Sequence, residues 1–550
     1  MINLRLGFIF FLIGFLFIFS KLIYLQFFSD FSKEASFYLK TEKITPIRGQ
    51  IFDIKGNPLA INQKIYDVYL EPDIIKKDQN YLSKYSSLLG LDIATLEAKL
   101  NSDKKWIRSG IKFSQDQYNH LHSQKGLQFQ SLNQRYYPES SLSAHLIGFV
   151  GQNEDGLSTG YFGVEGYFQQ DLKGLPGIIK SEEGKLGLPI FSGIRQFISG
   201  ENGRDLYLTI DNNIQYFAKK RLSEGMMKWG AKSGCIIAVD PNSLSLLALS
   251  CLPDFDPNSS KNISQEIFIN PAISQVFEPG SIFKPLIMGA GLEEKVITAE
   301  SIYDETGPIQ IGEYSIATWD DNYAGKVSMT KILEKSSNVG MVHEGRLLGN
   351  DKLYGYLQKF GLGSKTNIEL QGETSGSLKD KSDFHEIDFA TATFGQGIAV
   401  SPMQMITAFA SLINGGNIMT PFVISKIVDQ SGNEKYYSPK IVRKIFSEKT
   451  SSSIRTMLKS TILHSEAKYD LPKNIEIGGK TGTAQIAVEG KYDAEKTIAS
   501  FMGFFPVEKP KILILVSFKE PTSSIYGSET AAVTFFELAH DLIGYMGITQ

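Results

Sequence analysis

Cysteine is nearly absent from this chain of 550 residues: there are two, Cys235 and Cys251. They lack the spacing of a zinc or redox motif. Histidine is sparse as well, with seven scattered along the chain, and the expectation is a protein with no metal and no other cofactor. There is no basic excess, because 56 Lys and Arg stand against 59 Asp and Glu, a net charge of -3. That balance argues against nucleic acid as a partner. No internal repeat or low-complexity tract is visible. The remainder is ordinary globular composition, 42% hydrophobic and 21% charged, with length for two or more domains.

One stretch is apolar enough to leave water. Leu6 to Phe19 carries no charge, and Ser20, Lys21 and Leu22-Ile23-Tyr24-Leu25 follow. Lys21 can snorkel, which extends the run to about 20 residues, the length of a membrane span. A cleaved signal peptide is the rival reading, but no small-x-small site stands near Ser20. The expectation is an uncleaved anchor over residues 1–28. The amino terminus would be cytoplasmic and everything after the span exported.

Residues 29–203 read as mixed α/β with many polar breaks and no convincing nucleophile-base pair. Gly56-Asn57-Pro58 is a turn between two strands. Asp92 is placed to cap a helix over Ile93 to Leu100. Arg135-Tyr136-Tyr137-Pro138 is extended, since Pro138 disfavours helix at Tyr137. A non-catalytic pedestal is the expectation. The polar turn Gly200-Glu201-Asn202-Gly203 marks its end, and residues 204–550 form the second domain. There the pattern gives a helix over Ile214 to Met227. Strands Cys235 to Val239 and Leu246 to Cys251 follow, then largely helical sequence over 331–370 with a break at Gly361-Leu362-Gly363. A second hairpin, Ile498 to Pro506 with Lys511 to Phe518, precedes a last helix, Ala531 to Tyr545. That order predicts an α/β (α+β) fold, an antiparallel sheet covered by helices.

The chemistry concentrates in three segments. In Phe277-Glu278-Pro279-Gly280-Ser281-Ile282-Phe283-Lys284-Pro285-Leu286 a Pro-Gly turn precedes an apolar run, so a helix is expected to start near Ser281. Lys284, three residues on, would share its face. A serine needs a base to become a nucleophile, and a lysine serves only when burial or a second cation keeps it neutral. The Ser-x-x-Lys spacing alone is weak, for it recurs at Ser102/Lys105, Ser109/Lys112, Ser328/Lys331 and Ser465/Lys468. It gains weight from Ser336-Ser337-Asn338 and from Gly479-Lys480-Thr481-Gly482-Thr483, which follow in order. Ser-x-x-Lys, Ser-x-Asn and Lys-Thr-Gly in this order are the known signature of penicillin-binding proteins and class A β-lactamases.

The chain resembles a class B penicillin-binding protein over nearly its whole length. The pedestal matches at Arg48-Gly49-x-Ile51-x-Asp53, Gly56, Leu59-Ala60, Arg135-x-Tyr137-Pro138 and Gly163-x-Glu165. The second domain matches at Leu208-Thr209-Ile210-Asp211 and at the three motifs. Ile54 stands where the family often has Arg, and Leu244 where a turn glycine is usual. Lys335 to Gly340 and Gly372-Glu373-x-x-Gly376 resemble the division-type, FtsI-like branch. The resemblance implies a penicillin-binding transpeptidase domain of the serine β-lactamase-like fold. It also implies a peptidoglycan D,D-transpeptidase that crosslinks stem peptides ending in D-Ala-D-Ala, used in septal cell-wall synthesis and blocked by β-lactams. A membrane glycan polymerase of the FtsW/RodA type and other divisome proteins would be its partners. Elongation-type use, a D,D-carboxypeptidase or β-lactamase, and a non-enzymatic β-lactam sensor are the alternatives.

On that resemblance Ser281 is the nucleophile and Lys284 its base, with Lys480 as the second cation that keeps Lys284 neutral. Ser336 relays a proton to the leaving amine and Asn338 bonds the acyl peptide, although the triplet taken alone reads better as a helix cap. Thr481 and Thr483, with Lys480, bind the substrate carboxylate. Gly482 leaves room for the acyl chain along its strand, and the N–H groups of Ser281 and Thr483 form the oxyanion hole. For the cysteines, pairing of Val239 with Leu247 would set Cys235 opposite Cys251. A bridge is then open, but two free thiols are the default expectation.

Overall fold

The computed structural model describes residues 2–28, 39–182, 195–259, 264–488 and 491–549. Of the expected pedestal, residues 29–38 and 183–194 lie outside the described residues. The chain divides into two compact units, one made of Met1–Arg48 with Lys173–Gly203 and the other of Gly49–Leu172 with Arg204–Gln550.

The first unit holds a helix over Ile2–Ile23 that runs on as a π-type turn over Tyr24–Phe28. Gly7–Phe27 is 21 residues long with mean hydropathy 2.4, and the protein buries none of it. Its length and composition fit a single-pass membrane anchor. The unit also holds a three-stranded antiparallel sheet in the order Leu39–Ile44, Gly177–Glu182, Arg195–Ile198.

The second unit is built on an antiparallel five-stranded sheet. Its order is Leu246–Leu252, Ser233–Val239, Ile512–Lys519, Lys491–Phe505, Gly478–Val488. Side chains alternate between the faces. Ile236, Ala238, Val516 and Phe501 join one apolar core with the helices Asn212–Trp229 and Ala531–Met546. Ile237, Val239, Leu515 and Met502 join the other, with the helices Lys284–Glu293, Pro402–Ile413 and Glu448–Leu463. Asp211 starts the helix Asn212–Trp229 by accepting from the N–H groups of Asn213 and Ile214, an ordinary N-cap. Pro402–Ile413 is buried along its entire length, so it reads as apolar without a polar face. A second sheet in this unit runs Glu434–Tyr436, Ile424–Val428, Asp205–Leu208, Ile51–Phe52, Pro58–Leu70, Ile107–Phe113, with Leu127–Tyr136 also paired to Pro58–Leu70. Beside it, Arg135 and Glu165, 5% and 0% exposed at the side chain, form an ion pair at 2.6 Å. Tyr137 donates to the same carboxylate.

Three expectations need correction. The two cysteines are not free thiols but a Cys235–Cys251 disulfide. The opposed register is the one expected at Ile237/Leu249 and Cys235/Cys251, but a bulge between Ala238 and Val239 pairs Val239 with Leu246 instead of Leu247. An extra residue on one strand shifts pairing only on its own side, so the cysteines still meet. The nucleophile segment does not open the helix directly. Ser281 sits in a 3₁₀ turn, Gly280–Ile282, and the α-helix begins at Lys284. The stretch 331–370 is helical in three pieces, Met329–Lys335, Asn338–Leu348 and Asn350–Lys359. The first break falls at Ser336-Ser337, where the candidate chemistry lies.

Candidate active site

The site forms where the turn Gly280–Ile282, the break at Ser336-Ser337 and the strand Gly478–Val488 converge. Gly280 has φ +55, a conformation that suits glycine. The Gly280 N–H donates to Gly395 O at 2.9 Å, and the Phe283 N–H closes the turn on Gly280 O at 2.9 Å. Pro285 lies in the first helical turn, where its missing N–H costs little. Lys284 is thereby drawn inward and is 0% exposed, while Ser281 stays partly accessible.

Ser336 takes φ 55, ψ 38 and ends the helix Met329–Lys335. A left-handed serine is uncommon and persists where its surroundings hold it. Here it turns both its carbonyl and its hydroxyl toward Lys284. The Lys284 amine donates to Ser336 O, to Asn338 Oδ1 at 2.8 Å and to Ser336 Oγ at 3.2 Å. Lys480 donates to Ser336 Oγ at 3.0 Å from the other side. The Ser336 hydroxyl therefore bridges the two lysines. The cap of the helix Asn338–Leu348 is Ser337, which accepts from the Gly340 N–H at 2.9 Å. The N-cap role thus falls to Ser337, while Ser336 closes the preceding helix through its backbone and leaves its hydroxyl, like the Asn338 side chain, facing Lys284.

Burial pushes the Lys284 amine well below its ordinary value, and the neighbouring Lys480 lowers it further, against an opposing pull from Glu305. Burial likewise pushes Lys480 down to about 7. Both ammonium forms are penalised for want of water and of a paired carboxylate. A neutral Lys284 has two N–H bonds and one lone pair. Ser336 O and Asn338 Oδ1 can take the N–H bonds, which leaves the lone pair for a proton from Ser281. Among the described residues the Ser281 hydroxyl takes no hydrogen-bond partner. Serine–base contacts commonly tighten only when substrate is bound.

Gly482 is constrained by close approach. A Cβ there would lie 2.5 Å from Ser500 Oγ and 2.9 Å from Ile282 Cγ2. The strand therefore passes directly against the nucleophile turn, and the space left by the missing side chain is filled by Ile282 and Ser500 rather than open to an acyl chain as expected. Thr481 Oγ1 lies 3.4 Å from the Lys480 amine, and Thr483 Oγ1 accepts from the Gly527 N–H at 3.0 Å. All eight residues singled out from the sequence thus meet in one place. Two neighbours escaped the sequence. Glu278, its carboxyl raised by burial, accepts from Tyr492 at 3.0 Å and from the Gly397 N–H at 3.1 Å. Glu305 is buried at 2% exposure and takes the hydroxyl of Ser337. Glu278 stands in the nucleophile segment itself, three residues before Ser281, where its carboxylate could have been noticed; Glu305 belongs to no motif, and only the fold brings it in.

The penicillin-binding protein transpeptidase domain model matches residues 234–540, and the penicillin-binding protein dimerisation domain model matches residues 43–208. The chain is 31% identical over 529 residues to the peptidoglycan D,D-transpeptidase FtsI homolog of Mesostigma viride, covering 90% of this chain and 87% of that one. It is 29% identical over 514 residues to stage V sporulation protein D of Bacillus subtilis, covering 92% of this chain and 79% of that protein. Penicillin binding protein 2X from Streptococcus thermophilus has a similar fold, with a TM-score of 0.78 at 21% identity over 93% of this chain and 81% of that one. The chain belongs to the penicillin-binding transpeptidase family. A dimerisation domain ahead of the transpeptidase domain makes it a class B, FtsI-like member, a serine-type D,D-transpeptidase.

Proposed function

We propose that the protein crosslinks peptidoglycan stem peptides through an acyl-enzyme on Ser281, in septal wall synthesis. The observation that carries the reading is the bonding of Lys284, a buried amine held by Ser336 and Asn338 with Lys480 beyond. Ser281 Oγ attacks the carbonyl of the penultimate D-Ala and its proton passes to Lys284. The oxyanion rests on the N–H groups of Ser281 and Thr483. Lys480, Thr481 and Thr483 hold the terminal carboxylate, and the donor chain lies along the free edge of the strand Gly478–Val488. The C–N bond then breaks, and D-Ala leaves with a proton delivered through Ser336 from the lysine pair. An amine of a neighbouring stem peptide attacks the ester, and Ser281 regains its proton. A β-lactam follows the first half and stops at the ester, as a covalent inhibitor.

The septal assignment is supported by the likeness at Lys335 to Gly340 and Gly372-Glu373-x-x-Gly376, and by the FtsI names of relatives. A membrane glycan polymerase of the FtsW/RodA type would supply strands, with other divisome proteins alongside. Residues 1–28 would be the cytoplasmic stub and anchor, 29–203 the pedestal and 204–550 the catalytic domain, on the outer side of the plasma membrane. The test is a crosslinking assay with a D-Ala-D-Ala donor and an amine acceptor. A transpeptidase forms the donor–acceptor amide and releases D-Ala. Release without the amide would mean a carboxypeptidase, and a stable penicillin adduct with no turnover of donor would mean a sensor.

A further inference from the structure

Ser336 and Asn338 can hold the Lys284 amine only if the bend between their two helices is fixed; the Ser337 N–H donates to Ile332 O at 3.0 Å and Asn338 Nδ2 to Ala317 O at 3.2 Å, and the carboxylate that reaches the bend is Glu305. This carboxylate ends the strand Ile302–Glu305, which pairs with Gly325–Ser328. It is 2% exposed, as is Ser337. Ser337 donates its hydroxyl to Glu305 Oε1 while accepting from the Gly340 N–H. Glu305 Oε2 accepts from the Ala324 N–H at 3.3 Å. Ser337 is therefore pinned on one side by a carboxylate and on the other by a helix start. The residues that flank it, Ser336 in its left-handed conformation and Asn338 at the first helical position, are those that bind Lys284. A left-handed serine persists only where the surroundings over-determine it. A charge-assisted bond from the next residue to a buried carboxylate is such a constraint.

We propose that Glu305 is a positioning residue for acylation, acting through Ser337 to hold Ser336 and Asn338 against the general-base lysine. The inference rests on the reading of Ser281 and Lys284 as nucleophile and base. Glu305 also faces Lys284 electrostatically, opposing the effect of Lys480 on the same amine, and it bears on Tyr303 of its own strand. Its carboxylate favours the protonated lysine, so its removal favours the neutral one.

The experiment follows acylation of the full-length protein by a fluorescent penicillin as a function of pH, in the native protein and in Glu305→Gln, Glu305→Ala, Ser337→Ala and Ser281→Ala. Glu305→Gln keeps the size and a hydrogen bond to Ser337 but loses the charge. The acid limb of its rate profile should move to lower pH, because Lys284 then sheds its proton more readily. Ser337→Ala keeps the charge and loses the tether together with the cap on Gly340, so its rate should fall about 10²-fold, the scale of a 1 Å misplacement, with the acid limb in place. Glu305→Ala should show both effects, and if it fails to fold the other two variants decide. A native acid limb in Glu305→Gln, or a native rate in Ser337→Ala, would overturn the inference while Ser281→Ala stays unlabelled. Labelling of Ser281→Ala would instead overturn the underlying assignment.

Discussion

Lys284 and Lys480 share one hydroxyl and almost no water, so their protons are coupled. At low pH both amines are charged and Ser281 has no base. At high pH both are neutral and the substrate carboxylate meets no cation. The working state holds one proton between them. For the free enzyme, the pH profile of second-order acylation should be a bell. Its acid limb belongs to the strongly depressed Lys284 and its alkaline limb falls near 7, where Lys480 loses its charge. A stopped-flow profile still rising above pH 9 would contradict this. Lys284→Arg should be nearly inactive in the same measurement, since arginine keeps its charge at every working pH. The pair was legible as three motifs in order, because the chemistry fixes residue types at short spacing. Glu305 was not legible, for it sits on the strand Ile302–Glu305, which meets the motifs only in space; Glu278 lay in the nucleophile segment, but its partners Tyr492 and Gly397 come from elsewhere in the chain. Leu244 shows the same limit. It stands where glycine is usual and has φ 59 while being 0% exposed, so burial of its side chain offsets the strained backbone.

The strand Gly478–Val488 and the turn Gly280–Ile282 are set as close as a missing side chain allows. Gly482→Ala should separate them, since the added carbon meets Ile282 and Ser500 well inside contact distance. The expected outcome is a stability loss of about 1–3 kcal/mol, the usual cost of overpacking, and a loss of penicillin labelling. Thermal unfolding and labelling measured together would show it, and unchanged labelling would refute the close approach. In the hairpin Ser233–Val239 and Leu246–Leu252 the alternation and a Pro-Asn-Ser turn placed the strands and made Cys235 opposite Cys251 one open register, but the expectation of two free thiols was wrong. The sequence did not reveal the bulge beside Val239, which no residue type announces. Thiol titration of unreduced, denatured protein should find no reactive thiol. Cys235→Ala with Cys251→Ala should lose up to about 3 kcal/mol, the loop-entropy scale for about 15 enclosed residues.

At the scale of the molecule, an anchored chain must keep its first helix. The helix Ile2–Ile23 passes Ser20 without a break and runs into the turn Tyr24–Phe28, and bulky residues stand where a signal peptidase needs small ones. Mass spectrometry of membrane-extracted protein should recover peptides from residues 1–28. A new amino terminus near residues 20 to 30 would contradict the anchor. The two-domain reading came from composition breaks and matched motifs. The second sheet, which joins Ile51–Phe52 to Asp205–Leu208 in parallel, could not be read, since parallel pairing leaves no turn in the sequence. Everything proposed for this protein depends on one covalent bond. The full-length protein should be treated with benzylpenicillin, digested, and its modified peptide sequenced by mass spectrometry. The penicilloyl group is expected as an ester on Ser281 and on no other residue, with none formed in Ser281→Ala. An adduct mapped to a different side chain, or one that persists in that variant, would contradict the account.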